Sequence, residues 1–269
     1  MSKPKGSVIA EDAERGEAGR KREYGLEILR NRQTVKKQRE CTVRGKNMDR
    51  IIEVDHVSKM IKNEKQKNVI LSDISFSLEE GTVTAIVGKS GCGKSTLLSI
   101  MSGIDAPTDG SVRLLGKDFY KMKTAEQERF RNENIGMLFQ NYHLIPELTC
   151  EENIRMPLCF SDSGKTNEKK LNQWIENVGL GKKRKLFPSQ MSGGEQQRTA
   201  ILRAIVNNPQ ILFADEPTGA LDSKTGDSII RFLIGYAHGA KRTILLVTHD
   251  MDIAAQCDRV IEMADGRIA

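Results

Sequence analysis

The sequence predicts an α/β fold: a mainly parallel sheet, an antiparallel β part on its N-terminal side and an inserted helical subdomain. Three observations carry this expectation. Short apolar runs alternate with helical stretches over most of the 269 residues. Several runs, "TVTAIVG" (82–88), "ILFAD" (211–215) and "TILLVT" (243–248), are apolar almost throughout, as strands buried on both faces must be. Between about 141 and 195 the pattern turns polar and helical, around "EENIRMPL" and "LNQWIENVGL".

Taken in order, residues 1–47 are charged and poor in aromatics. Within them "KREYGLEILRNRQTVKKQRE" (21–40) offers a helix only a thin stripe, with Tyr24, Ile28 and Val35 near one face. The stretch reads as a disordered or marginally helical extension, as an interaction arm, or as sequence upstream of a true start at Met48. The folded domain is expected over 48–269. "RIIEVDHVS" (50–58) and "VILSDISFSLEEG" (69–81) read as strands, the second by its alternation. After the buried strand at 82–88 a helix is expected from Lys94 to about Ser102, then a strand at 111–115, a helix at 124–132 and a strand at 135–139. A helix over 195–208, stopped by Pro209, precedes strands at 211–215, 243–248 and 259–263.

Composition narrows the function classes. The net charge is +6, but residues 1–50 hold 14 basic and 8 acidic residues and so carry all of it; the remainder balances at 28 and 28. A domain without a basic surplus has no electrostatic footprint for nucleic acid, and none is expected as a partner. No apolar run reaches the roughly 18 residues of a membrane span, and the charged N-terminus carries no secretory signal, so a cytoplasmic chain is expected. Five cysteines, at 41, 92, 150, 159 and 257, show no metal spacing and read as free thiols.

The chemistry concentrates in two glycine-rich loops. "GKSGCGKST" (Gly88, Lys89, Ser90, Gly91, Cys92, Gly93, Lys94, Ser95, Thr96) fits the phosphate-binding pattern G-x-x-x-x-G-K-[ST], after a buried strand and before a helix. Glycines let backbone N–H groups turn toward phosphate oxygens at the positive end of the helix. Lys94 is placed to reach the β and γ phosphates, and the Ser95 hydroxyl to bind Mg²⁺. This predicts a P-loop NTPase core that binds a nucleotide with Mg²⁺. In "ILFADEP" (211–217), Asp215 ends a buried strand and can hold Mg²⁺ through water, while Glu216 can orient and polarise the attacking water. His249, after "LLVT", and Gln140, after "IGMLF", emerge at the same sheet edge. His249 can reach the γ-phosphate or the water; Gln140 can touch Mg²⁺ or the water. His143 and the single Trp174 read as structural or partner-facing. The second loop, "MSGGEQQRTAILRA" (191–204), places Ser192 and two glycines before another helix.

This ordered set resembles the ATP-binding subunit of an ABC transporter: "GKSGCGKST", Gln140, "MSGGEQQ", "ILFADE", "GALDS" and His249, covering about 51–269. The resemblance implies that Ser192, Gly193, Gly194 and Glu195 form a signature loop that meets the γ-phosphate of a partner's ATP in a head-to-tail homodimer. It implies that "GALDS", with Ala220, Leu221 and Asp222, crosses the dimer interface. It further implies that ATP closes the dimer, hydrolysis opens it, and the segment after Gln140 passes the motion to an integral membrane permease. The chain would then lie peripherally on the inner face of the cell membrane.

"RFRNENIGMLFQNYHLIPELTCEENIRMPL" (129–158) with "ADEPTGALDS" looks like the branch of lipoprotein-release, macrolide-export and bacitracin-resistance subunits, close to cell-division ones. A transport subunit for peptide, lipid or drug is the reading this favours. The alternative is an ABC-type ATPase in a non-transport membrane process such as cell division or antimicrobial-peptide sensing. Nucleic-acid relatives insert long coiled coils or metal-spaced cysteines between the two loops, and neither occurs here. Two departures stand out. The family's adenine-stacking aromatic falls near Met60 or Ile61, where this chain has none, and the signature carries Met191 and Glu195 for the usual leucine and glutamine.

Overall fold

The computed structural model describes residues 50–63, 66–160, 168–219 and 223–269. The 21–40 stretch and Ala220, Leu221 and Asp222 lie outside the described residues. Two sheets form the scaffold. In the first, β1 (Arg50–Asn63) and β2 (Gln66–Glu79) make a long antiparallel hairpin beside β4 (Asp109–Leu114) and the short β5 (Lys117–Asp118), in the order β2-β1-β4-β5. The hairpin strands run further than their apolar patterns suggest, because cross-strand pairing continues to Asn63↔Gln66 beyond the buried face.

The second sheet contains β3 (Val83–Gly88), β6 (Ile135–Leu138), β7 (Ile211–Asp215), β8 (Thr243–Val247), β9 (Arg259–Ala264) and β10 (Arg267–Ile268), in the order β10-β9-β3-β8-β7-β6. All its pairs are parallel except β10 with β9, a two-residue edge strand too short to leave a periodic signal.

The near-continuous apolar strands are explained by what lies on either side of them. Ala85, Leu212, Ala214, Ile244 and Leu246 face one core, and Ile86, Ile211, Phe213, Leu245 and Val247 face the other. The second core is closed by the antiparallel sheet and by α1 (Lys94–Met101), with Ile52, Leu71, Leu97, Leu98 and Met101 all buried. α2 (Thr124–Asn134) adds Phe130 to it. The first core is closed by α3 (Cys150–Arg155), α4 (Glu168–Asn177), α5 (Gly193–Ile205) and α6 (Ser223–Ala240), through Ile154, Ile175, Leu202 and Leu233 among others. A last short helix, α7 (Met251–Ala254), follows β8. α5 starts at Gly193, two residues earlier than the expected 195, because Ser192 caps it. It ends at Ile205, before Pro209, with Asn208 in a left-handed turn (φ 54°).

The helical insertion is organised by a side chain the sequence does not advertise. Asn153 is fully buried; its amide nitrogen donates to the carbonyls of Ile145 (3.0 Å), Leu148 (2.8 Å) and Thr149 (3.1 Å), and its oxygen accepts from the Ile145 amide (2.8 Å). It ties the segment after Gln140 to α3. Asn153→Ala leaves these backbone groups unpaired out of water and is expected to lower unfolding free energy by roughly 2–4 kcal/mol, measured by urea denaturation.

Candidate functional site

Parallel pairing brings the catalytic candidates together. The register sets Ile86 beside Val247, Val247 beside Asp215 and Ala214 beside Leu138, so β3, β8, β7 and β6 end along one edge. The loop at 88–96, then His249, Glu216 and Gln140, leave from those four ends in that order.

The loop needs its glycines. At Gly88 a Cβ would lie 2.2 Å from the Met263 carbonyl oxygen of β9; at Gly93 (φ 101°) it would lie 2.7 Å from a Leu71 methyl. The backbone therefore runs against both sheets and then turns directly into α1, leaving the amides of Lys94, Ser95 and Thr96 without intrahelical acceptors. Lys94 is buried and donates to the carbonyls of Gly88 and Lys89, both at 2.9 Å, which fixes its ammonium across the loop. Lys89, Ser90 and Gly91 are exposed. Cys92 is buried with its sulfur 3.9 Å from the Lys94 nitrogen. Cys150, Cys159 and Cys257 are, like it, free thiols.

The Ser95 hydroxyl donates to Asp215 Oδ1 at 3.2 Å. Burial pushes the Asp215 carboxyl above its ordinary value; the Ser95 hydrogen bond opposes this, the charge of Glu216 adds to it, and Lys94 opposes it. A cation between these oxygens would relieve the desolvated carboxylate. Mg²⁺ holds its ligands at about 2.0–2.1 Å in an octahedron, which puts neighbouring ligand oxygens about 3 Å apart, so the pair fits that ion. Among the described residues no group of three or more His, Cys, Asp or Glu could hold a metal, so the other positions fall to phosphate and water. Gln140 lies in the exposed turn after β6, at the same edge, without a hydrogen bond to Ser95 or Asp215.

Glu216 adopts a left-handed backbone (φ 46°), a conformation costing a non-glycine residue roughly 1–3 kcal/mol. Its amide donates to Val247 O at 3.0 Å, which holds the turn against β8. Its carboxylate oxygen Oε1 lies 2.8 Å from His249 Nδ1. Glu216 is largely covered and the His249 ring is exposed. An ionised carboxylate only accepts, so Nδ1 carries the proton. Nε2 then accepts from the solvent side in the neutral ring and donates only in the imidazolium. The pair thus presents a carboxylate held in place by the imidazole at the loop's edge.

The second loop is a helix cap. Ser192 Oγ accepts from the Glu195 amide (3.3 Å), and Glu195 Oε2 accepts from the Ser192 amide (2.9 Å). Glu195 also pairs with Lys183 at 3.4 Å. The amides of Gly193 and Gly194 remain, exposed or partly exposed, at the helix tip. Glu195 is therefore held by the cap, a role already visible in the S-x-x-E spacing of "SGGE". Its carboxyl is pulled below the ordinary range, first by the Ser192 amide. The sign follows: this stabilisation is present above the unfolded carboxylate pKa and is lost as pH falls through the lower folded one. Glu195→Ala is expected to cost about 1 kcal/mol at neutral pH, less in acid, while Glu195→Gln keeps the acceptor and most of the stability. Thermal denaturation at two pH values checks this.

Arg203, near the far end of α5, was not singled out by the sequence. It is buried, and its guanidinium donates to the carbonyls of His143 (2.6 Å) and Tyr142. Burial lowers its pKa. Both acceptors sit in left-handed backbone (φ 59° at Tyr142, 47° at His143), and the His143 ring stacks on Phe139 at 4.7 Å. The turn carrying Gln140 is thereby bonded to the helix carrying Ser192. A basic residue inside the apolar run "AILRAIV" was the available signal. Trp174 packs edge-on against Tyr236, with ring centroids 6.2 Å apart. Near the expected adenine platform, Met60 and its cross-strand partner Val69 are exposed on one face of the hairpin, and Ile61 is exposed on the other.

Comparison with known proteins shows the family. Residues 71–219 match the ABC transporter family. The chain is 41% identical over 217 residues to the lipoprotein-releasing system ATP-binding protein LolD of Shewanella frigidimarina, covering 80% of this chain and 91% of that one. It is 39% identical over 219 residues to the macrolide export ATP-binding/permease protein MacB of Burkholderia thailandensis; this covers 81% of the chain but only 33% of the longer MacB. Among solved structures, the dimeric post-hydrolysis cassette MJ0796 bound to ADP and Pi superposes with a TM-score of 0.76 at 36% identity, covering 81% of this chain and 96% of that one. The chain therefore belongs to the ABC transporter family, as one of its ATP-binding, ATP-hydrolysing cassettes.

Proposed function

We propose that this chain powers a membrane export or release system for peptide, lipid or drug by closing as a homodimer on two ATP molecules. The observation that carries the reading is the pairing of two anion-binding helix starts in one chain. The first, at Gly93–Thr96, is complete with lysine, serine and carboxylate. The second, at Ser192–Gly194, offers a capped helix tip whose one carboxylate, Glu195, is tied back to the Ser192 amide and to Lys183. The second makes chemical sense as a lid on a phosphate already held by another copy. The dimeric MJ0796 cassette bound to ADP and Pi supports this, and the near full-length match to LolD supports a membrane partner.

In this reading Lys94 and the loop amides hold the phosphates. Ser95 and Asp215 take Mg²⁺, with Gln140 beside them, and the ion supplies charge neutralisation at the phosphates. Glu216 accepts the proton of the attacking water, and the His249 ring positions that carboxylate and the γ-phosphate. Glu195 keeps the partner-facing cap formed. Ala220, Leu221 and Asp222 belong to the proposed interface. Loss of the γ-phosphate removes the contact shared by both loops, and the Arg203 tether passes the change from the Gln140 turn to α5. Among the described residues no helix is long and apolar enough to cross a membrane. In this reading an integral membrane permease supplies the passage, and the chain works beside it at the inner face of the cell membrane; the match to LolD supports such a partner. The test is ATPase rate against protein concentration, with and without a permease of this family co-expressed with the chain. The reading expects a rate per subunit that climbs with concentration and rises with the permease; a flat, permease-independent rate overturns it.

A further inference from the structure

We propose that the cleft between α4, α5 and α6 is a binding site for a small amphipathic monocarboxylate. Its volume is about 370 Å³, within the range of roughly 300–1,000 Å³ typical of small-molecule sites. Val178, Ile201, Ile229 and Phe232 give it an apolar wall, and Arg198 and Ser228 line it with them. Arg198 stands one helical turn before Ile201 on α5, and its Nε is shut from water without a hydrogen-bond partner. A guanidinium cannot shed its charge, so one that lines a mostly apolar cleft calls for an anionic acceptor there, and a carboxylate is the strongest small one.

The surroundings select the rest of the ligand. The apolar wall favours a hydrocarbon tail over a second polar group. A phosphate dianion would leave water with only one guanidinium to meet it, and its second charge would face apolar carbon. A single negative charge on a compact apolar tail satisfies both halves of the site. The cleft lies on the helices that begin at Ser192 and directly after residues 220–222, and none of its lining residues belongs to the loop at 88–96.

The test needs no ATP and so stands apart from the reading above. The full chain is dialysed to equilibrium against radiolabelled octanoate and, separately, octan-1-ol, which shares the tail but not the charge. Trp174, the only tryptophan, sits one turn before the Asn177–Val178 edge of the cleft and reports occupancy by fluorescence. Saturable binding of one octanoate per chain is expected, at least tenfold tighter than octanol. Arg198→Gln should bring the two affinities together, and Ser228→Phe, at the exposed rim, should exclude both while circular dichroism stays unchanged. Non-saturable uptake, equal affinity for acid and alcohol, or octanoate binding that survives both substitutions overturns the proposal.

Discussion

Glu216→Gln is expected to lower ATP turnover at least about 10²-fold while leaving ATP affinity within about twofold of the parent, because a positioned general base contributes roughly 10²–10⁴ to rate. The substitution is nearly isosteric. The amide oxygen can still accept from His249 Nδ1 at the observed 2.8 Å, and the backbone bond from residue 216 to Val247 O is untouched. What disappears is the ability to accept a proton from water. Asp215 loses a neighbouring charge that raises its pKa, so its carboxylate stays ionised more readily. Single-turnover kinetics with radiolabelled ATP, beside equilibrium binding of the same nucleotide, separate the two effects. A variant that loses binding and turnover together would mean that Glu216 holds nucleotide rather than water.

The second large effect concerns the other loop. Ser192→Asp keeps a good helix cap, since Asp and Ser are about equal at this position. It adds a negative charge beside the exposed Gly193 amide, at the helix start. Stability is expected to stay within about 0.5 kcal/mol, and ATP binding to the single chain should be unaffected, because among the described residues no hydrogen bond or ion pair joins Ser192 to the loop at 88–96. Turnover should nevertheless fall roughly 10²-fold or more, since a like charge set against the γ-phosphate of the partner's ATP costs several kcal/mol. Full activity in this variant would place Ser192 outside the reaction. Lost ATP binding in the lone chain would place it in its own nucleotide site.

Much of this site was legible because the chemistry sits at strand ends. A buried parallel strand announces itself by its apolar run, and the polar residue that ends it must emerge at the ligand edge. Gly88, Asp215, Glu216, His249 and Gln140 were all located by that logic. Asn153 and Arg203 were not. Each looks like a polar residue on a helix surface until the segment from Tyr142 to Thr149 folds over it, and that wrapping is a tertiary fact with no local period. Glu195 looked like a variant of a family pattern, yet its capping-box bond was readable three residues from Ser192.

The claim that two copies clamp ATP between their unlike loops is tested most directly by the mass of the Glu216→Gln chain in solution, measured by light scattering with and without saturating ATP and Mg²⁺. The account predicts the monomer mass of 30.1 kDa without nucleotide and about twice that with it. It also predicts that adding Ser192→Asp returns the ATP-loaded protein to monomer. A mass that stays at 30.1 kDa in saturating ATP, or a dimer that forms without nucleotide and ignores Ser192→Asp, would contradict it.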